Sequence, residues 1–401
     1  MNITIIARTL KQVEGGGAIS ADFLIRQLLK KKHKIKVVTF DGETNKTFKK
    51  DGIQYLQRKK SRIYPPVTIT INLKAARIMK KLEKKTDVFY IPQADMIPGG
   101  GFYKLFGGKK KVVGMLNGYS SICAVFQCTV DKKVCYNCSF FNQRFKCVKK
   151  FSRNPFEKYI FAPVYASLFK LMNEIPAKKL DQYIALSEPV KNIHSSFGFD
   201  KERITVVPNM YDENFVKSNI IKEKKDEFRI LYVGRMKKSK GVDVLVKAFQ
   251  KIKHKNKKLV LIGSGTEMNK IKKLISEIGE GNNILIKNYV KYEELYKYYK
   301  QADVFVHPGI WPEPFGRTIL EAISCQIPII VSDIGAPPEI IAPHGLKFKP
   351  GDVDDLKNKL EKVMKNKVPI NKLVPPLNVL GKFSPKIVVK KIESILTQFE
   401  K

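Results

Sequence analysis

The sequence predicts an α/β protein built from two doubly wound, parallel-sheet domains. Three observations carry that prediction. The chain has 401 residues, about twice what one ordinary core organises. Short apolar runs alternate with stretches of helical spacing, most regularly after residue 228, as strands joined by helical crossovers would. Glycines recur where those runs end, the place where such sheets bind ligands. Hydrophobic residues at 43% and charged residues at 28% suit a folded protein rather than a disordered one.

The first element is NITIIA, a strand over residues 3–7, followed by the glycine turn EGGGAIS. Residues 18–32 place Ile19, Phe23, Leu24, Leu28 and Leu29 on one helical face, and IKVVTF is the next strand. Further strands are expected at 88–91 and 111–116, an aromatic helix over 154–172, and a strand at DQYIALS. The second half reads FRILYVG, a helix from Val242, KLVLIG, a helix from Thr266, NILIKNYV, a helix over 293–300, DVFVHPG, a helix from Arg317, and IPIIVS. An amphipathic helix with Ile387, Val388, Ile392, Ile395 and Leu396 on one side closes the chain. Ser, Pro and Asn punctuation over residues 186–215 marks the join. The expected units are 1–185, 186–380 and a terminal helix at 381–401.

Four strand ends carry chemistry. In YVGRMKKSKGVDVLVKAF, Gly234 opens a turn that holds Arg235 and Lys240 just before a helix, a good site for an anionic diphosphate. The plainer alternative is a solvated basic loop. LVLIGSG ends in Gly263 and Gly265, either a ligand approach or a common tight turn. SDIGAPPEII puts Gly335, Ala336 and Pro337 on a turn where a ligand can come close to the backbone, or where a strand simply meets a helix. HPGIWPEPFGRTILEA holds Glu313 and Glu321 eight residues apart around a Pro-Phe-Gly turn. Two acceptor-only carboxylates suit a ligand with two hydroxyl-rich patches, such as a sugar nucleotide. His307 either touches that ligand or is a buried structural histidine.

In this order, EGGG, GRMKKSKG, GSG, HPGIWPEPFGRTILEA, SDIGAPPEII and HGLKFKPGD resemble the retaining glycosyltransferases of family 4. The resemblance covers nearly all of the second domain and, more weakly, the first. Its most specific parts are the E-x7-E pair Glu313 and Glu321, and Arg235 with Lys240. It implies the GT-B architecture: two Rossmann-like domains facing a cleft, with the C-terminal helix returning to the first domain. It implies that Arg235 and Lys240 hold the donor diphosphate and that Glu321 accepts hydrogen bonds from the ribose. Glu313 would face the donor sugar. The backbone of Phe315 and Gly316 would approach sugar or phosphate, beside Gly234, Gly263 and His307. Gly16 and Gly17 would bring the first domain close to the same phosphates. The family retains anomeric configuration and needs no bound metal for catalysis. One position departs: where the family often carries a histidine after the strand KVVGML, this chain has Asn117, on the acceptor side. Asn can hydrogen-bond a sugar hydroxyl but cannot take a proton. A degenerate, non-catalytic sugar-nucleotide-binding protein is therefore the alternative to an active transferase.

Five of six cysteines fall in one stretch: Cys123, Cys128, Cys135, Cys138 and Cys147. Clustered thiols in a cytosolic chain suggest a structural zinc held by four of the five. An iron–sulfur cluster, disulfides and free thiols are the other readings. Some relatives carry a similar Cys-rich insert near the acceptor side, and in every case a clasp rather than catalysis is expected. Cys325, after Glu321, reads as core.

Lys+Arg number 75 against 37 Asp+Glu, a net charge of +38. That charge reads either as a Lys-rich solvated surface or as affinity for something anionic, such as a phosphate-bearing substrate or an anionic membrane surface. The basic residues are scattered and form no tail, which argues against specific nucleic-acid binding. No apolar run reaches the ~18 residues a bilayer span needs, and no cleavage site follows the first strand. A cytoplasmic placement is expected, with peripheral membrane contact open to it; the aromatic segment at 154–172 together with the charge hints at a lipid-linked or cell-envelope glycan as acceptor, while a core helix is the plainer reading of that segment. A dinucleotide oxidoreductase would need G-x-G-x-x-G directly after the first strand, which is absent.

Overall fold

The computed structural model describes the chain except residues 11–15, 61–66, 131–132, 139–146, 148–163, 165–167, 218–225 and 399–401. The glycine turn before residue 16 and most of the aromatic segment at 154–172 lie outside the described residues. The chain divides into two units, Met1–Asn209 with Lys386–Lys401, and Met210–Pro385. The division falls after residue 209 rather than 185, because helix Glu188–Ser196 and strand Ile204–Val206 continue the first sheet. The last helix, Pro385–Thr397, groups with the first unit. Its Glu393 takes Lys31 at 2.6 Å and His33 at 2.9 Å, while Val388, Ile392 and Leu396 are buried.

The first unit holds strands β1 (Asn2–Ile6), β2 (Lys34–Gly42), β3 (Lys46–Lys50), β4 (Ile53–Lys59), β5 (Val88–Ile91) and β6 (Lys111–Leu116). The small hairpin β7 (Thr129–Val130) and β8 (Lys133–Val134) follows, then β9 (Gln182–Ala185) and β10 (Ile204–Val206). The main sheet runs β10-β9-β6-β5-β1-β2-β4-β3 and is parallel except at the antiparallel edge pair β3 and β4. β5 and most of β1 are buried on both faces, hence their unbroken apolar runs. The β3–β4 edge was not expected. KTFKK is exposed along its whole length and shows no apolar alternation. The available signal was Asp51-Gly52, which turns the hairpin with φ of 51° and 77°, the left-handed pair that a two-residue primed turn requires.

The second unit holds β11 (Phe228–Val233), β12 (Lys257–Ile262), β13 (Ile284–Lys287), β14 (Val304–His307), β15 (Ile329–Ser332) and β16 (Leu346–Phe348). All are parallel, in the order β13-β12-β11-β14-β15-β16. Helices Val242–Gln250, Met268–Glu277, Leu295–Gln301 and Arg317–Ser324 form the crossovers where the periodicity placed them. Ile230, Leu245, Phe249, Leu259 and Val304 lie in the core on one face of the sheet. Helix Val353–Met364 packs on the same core, and its Asp352 accepts hydrogen bonds from the backbone of Asp354 and Asp355 as an N-cap.

Lys257 shows how this core tolerates a charge. Its ammonium is buried and donates to the carbonyls of Phe249 (2.8 Å) and Ile252 (3.0 Å) at the end of helix Val242–Gln250, and to Glu280 Oε1 (2.9 Å). The helix C-terminus favours the cation, and Glu280 neutralises it. Glu280→Ala should leave an uncompensated charge and lower stability by about 3 kcal/mol, readable in urea denaturation.

Candidate functional site

The strand order of the second unit reverses between β11 and β14. In open parallel sheets, ligands bind beyond the carboxyl ends of the strands at such a reversal. The turn after β11 carries Gly234, Arg235 and Lys240, and the segment after β14 carries Glu313, Phe315 and Gly316. Gly263 after β12 and Gly335 after β15 come from the two flanking strands. The four motifs singled out in the sequence thus stand at the carboxyl ends of four adjacent strands.

Backbone bonds knit these turns together. Met236 N donates to Ser264 O at 2.9 Å, and Ile310 N to Ser239 O at 2.9 Å. The buried Tyr232 donates its hydroxyl to Arg235 O at 2.8 Å, fixing the backbone that presents the guanidinium. Gly263 has φ of 133°, and a Cβ there would lie 2.0 Å from Gly234 O. Its immediate duty is therefore to let two turns touch, not only to admit a ligand.

Lys240 forms an ion pair with Glu313 Oε2, and Trp311 Nε1 donates to the same oxygen at 2.8 Å. The Lys240 ammonium is 5.5 Å from the Trp311 ring centroid. Burial works to raise the Glu313 carboxyl, but the Lys240 charge and the donors from Lys240 and Trp311 hold it below the ordinary value. His307, at the end of β14, is pushed down to about 4 by burial, so its imidazole is neutral at physiological pH. Its Nδ1 has no hydrogen-bond partner, and its ring lies beside Gly316. Phe315 is buried, edge-on to Phe383 with centroids 5.8 Å apart, and so anchors the loop through its side chain.

Glu321 sits on helix Arg317–Ser324, which begins at Gly316. Its residue is 8% exposed, and the buried Tyr299 donates to its Oε2 at 2.8 Å. Burial raises the Glu321 carboxyl, opposed by the Arg317 charge and the Tyr299 hydroxyl. Glu321 lines a recess with Tyr211, Asp212, Tyr292 and Arg317, in which Arg317 Nη2 donates to Tyr292 Oη at 3.3 Å. Tyr232, Tyr299, Tyr292, Trp311 and Arg317 did not emerge from the sequence. Arg317 lies inside the Glu motif and was available as a cation one turn before Glu321. The tyrosines read as core.

In the first unit the sheet order reverses between β1 and β5. Gln93, after β5, accepts from the backbone N–H of Arg8 at 2.6 Å and donates to Thr9 O at 2.9 Å, tying the two strand ends together. Asn117 accepts from Ala94 N at 3.0 Å and donates to Pro92 O at 2.9 Å. Asn117 thus holds the neighbouring turn, a structural duty the sequence did not suggest. Gly16 and Gly17 open helix Gly16–Lys30, and a Cβ on Gly17 would meet Asn117 Nδ2 at 3.1 Å.

Cys128 N donates to Cys123 Sγ at 3.4 Å, and Cys135 N to Cys128 O at 2.8 Å across the β7–β8 hairpin. The Cys128 thiol, with backbone N–H donors, draws Cys123 down to about 6, while burial pushes Cys128 up. Among the described residues no three His, Cys, Asp or Glu side chains gather closely enough to hold a metal ion. Cys123, Cys128, Cys135, Cys138, Cys147 and Cys325 are not in disulfides.

Comparison with known proteins bears on this geometry. The chain is 33% identical over 173 residues to an uncharacterised glycosyltransferase of Methanocaldococcus jannaschii, covering 40% of this chain and 44% of that protein. It is 25% identical over 354 residues to an uncharacterised protein from the cps region of Klebsiella pneumoniae, covering 85% and 87% of the two chains. Among solved structures, Anabaena HepE in complex with UDP-glucose matches with a TM-score of 0.69 at 15% identity, over 99% of this chain and 100% of that one, and so shares the GT-B fold. The family model for glycosyl transferases group 1 matches residues 213–374. The model for glycosyltransferase family 4 matches residues 14–215, half of the chain, and so the chain belongs to glycosyltransferase family 4.

Proposed function

We propose that the protein transfers a sugar from a nucleoside-diphosphate sugar to a glycan or lipid-linked acceptor, with retention of anomeric configuration. One observation carries the reading: Lys240, on the turn after β11 that also holds Arg235, is ion-paired with Glu313 after β14 at the reversal point of the second sheet, and Glu321 lies on the helix that follows. Cleaving a glycosyl–phosphate bond leaves a cation-like sugar and an anionic diphosphate. Arg235 and Lys240 stabilise the departing charge in place, without reorganisation. The oxygen of the leaving phosphate is the base nearest the incoming hydroxyl, on the face the leaving group occupied, which yields retention. Glu313 orients the sugar, and Glu321 takes the ribose hydroxyls. His307, being neutral, adds no charge and offers a ring nitrogen to a sugar hydroxyl.

The acceptor follows from weaker support: the cps-region protein of Klebsiella pneumoniae aligns over most of this chain, and a net charge of +38 favours an anionic surface. Among the described residues no helix is long and apolar enough to cross a membrane. The net positive charge suits peripheral contact of the enzyme with an anionic bilayer.

Incubating the purified protein with a panel of sugar nucleotides, with and without membrane lipid extract, tests this. Release of nucleoside diphosphate and an axial or equatorial product matching the donor's configuration, read by NMR, is the expected result. Tight nucleotide binding with no release from any donor would instead select the non-catalytic reading that Asn117 raises.

A further inference from the structure

We infer that Trp311 is a positioning residue of the donor site, fixing Glu313 so that this carboxylate holds Lys240 in place until a diphosphate takes it over. The inference rests on the donor-site reading above and goes one residue further. Trp311 is the single tryptophan of the chain. Its Nε1 and the Lys240 ammonium share one acceptor, Glu313 Oε2. The Lys240 ammonium also faces the indole ring at 5.5 Å from its centroid. Moving the indole therefore moves the carboxylate, and moving the carboxylate releases the lysine.

The backbone around this triad leaves the indole little freedom. On one side Ile310 N is bonded to Ser239 O, in the turn that presents Lys240. On the other, Ala336 N donates to Glu313 O at 2.9 Å, and Gly335, with φ of 72°, packs so closely that a Cβ would lie 2.5 Å from Glu313 N. Both ends of the 310–313 segment are pinned, so the Glu313 side-chain torsion is what Trp311 decides. The pair is well shielded, with side-chain exposures of 22% for Lys240 and 13% for Glu313, so its attraction is less screened than that of a surface pair.

Two consequences follow. An incoming diphosphate competes with Glu313 for Lys240, so the carboxylate weakens the binding of a bare nucleoside diphosphate. The donor sugar then meets a carboxylate freed from lysine but still bonded to the indole. Trp311 consequently bears on turnover more than on nucleotide affinity, and its fluorescence reports the handover.

The test uses the full chain and UDP, GDP and ADP as probes, titrated in parallel by calorimetry and by intrinsic fluorescence, with donor hydrolysis as the kinetic readout. The expected result is a fluorescence change with the same midpoint as the calorimetric one. Trp311→Phe should keep nucleoside-diphosphate affinity within about twofold and lower kcat by about tenfold to a hundredfold, the scale of a misplaced catalytic contact. Trp311→His, which restores a ring N–H donor, should recover part of that loss. Glu313→Gln should bind the bare diphosphate up to about fivefold more tightly, as a partly screened pair allows. Nucleotide binding that leaves fluorescence unchanged, a wild-type kcat in Trp311→Phe, or weaker diphosphate binding in Glu313→Gln overturns the inference alone. Failure of all three nucleotides to bind by calorimetry overturns the donor-site reading together with it.

Discussion

Arg235→Ala is expected to reduce sugar-nucleotide turnover about a hundredfold, on the scale of ~3 kcal/mol for one preorganised group at a developing charge. The reasoning starts from the turn, not from the guanidinium. Tyr232 bonds to the Arg235 carbonyl, and Met236 N to Ser264 O, so the contacts that shape the turn are to backbone and survive the substitution. The alanine variant should fold with an unchanged melting temperature. What it loses is a fixed cation at the carboxyl end of β11, beside the strand reversal. Lys is a poor replacement, because its point charge lacks the forked donors that match a diphosphate. Arg235→Lys should therefore recover only part of the rate. Nucleoside-diphosphate release and calorimetry with the free diphosphate read the two losses separately. A variant that keeps both wild-type rate and affinity would remove Arg235 from the site.

Glu321→Ala is expected to weaken nucleotide binding by about tenfold to a hundredfold, as the loss of hydrogen bonds to a charged acceptor does. It should also cost stability, since the buried Tyr299 hydroxyl loses its 2.8 Å acceptor. Leaving that donor unsatisfied costs about 2 kcal/mol. Glu321→Gln separates the effects, because the amide carbonyl still accepts from Tyr299 while the charge is gone. It should keep the stability and lose the affinity. The pH dependence has a definite sign. Burial raises the Glu321 carboxyl, so the folded state holds its proton to higher pH than the unfolded chain does. Stability therefore falls as pH rises from the ordinary carboxylate range through the raised value. Nucleotide binding through the ionised carboxylate is expected to be lost in the opposite direction, as pH falls below that raised value. Both trends should vanish in Glu321→Gln, measured by thermal denaturation and by nucleotide titration across the acid range.

The sequence displayed the second unit well because its strands are apolar runs and its ligand-bearing turns follow them directly. Val304–His307 and Ile329–Ser332 are buried at every position, and such runs are hard to miss. The charged residues of the candidate site were equally visible, since Arg235 and Lys240 stand in one local motif and Glu313 and Glu321 in another. Their supports were not. Tyr232 and Tyr299 act through one hydroxyl at the end of a buried ring, and nothing in a sequence separates that from plain packing. Trp311 was legible only as part of the string around Glu313, because its role depends on a lysine 71 positions earlier in the chain. Asn117 was weighed for a missing proton acceptor, whereas its hydrogen bonds to Pro92 and Ala94 depend on how β5 and β6 lie side by side.

Strand β3 ends the first sheet with an open row of backbone donors and acceptors, and Lys46, Lys49 and Lys50 line it. Such a margin invites another chain to add itself as a further strand, and like charges at close range repel any copy that tries. The least structured-looking five residues of this domain therefore serve as its guard against fibrous self-association, and substituting neutral β-formers for these lysines would remove that guard while touching neither core nor donor site.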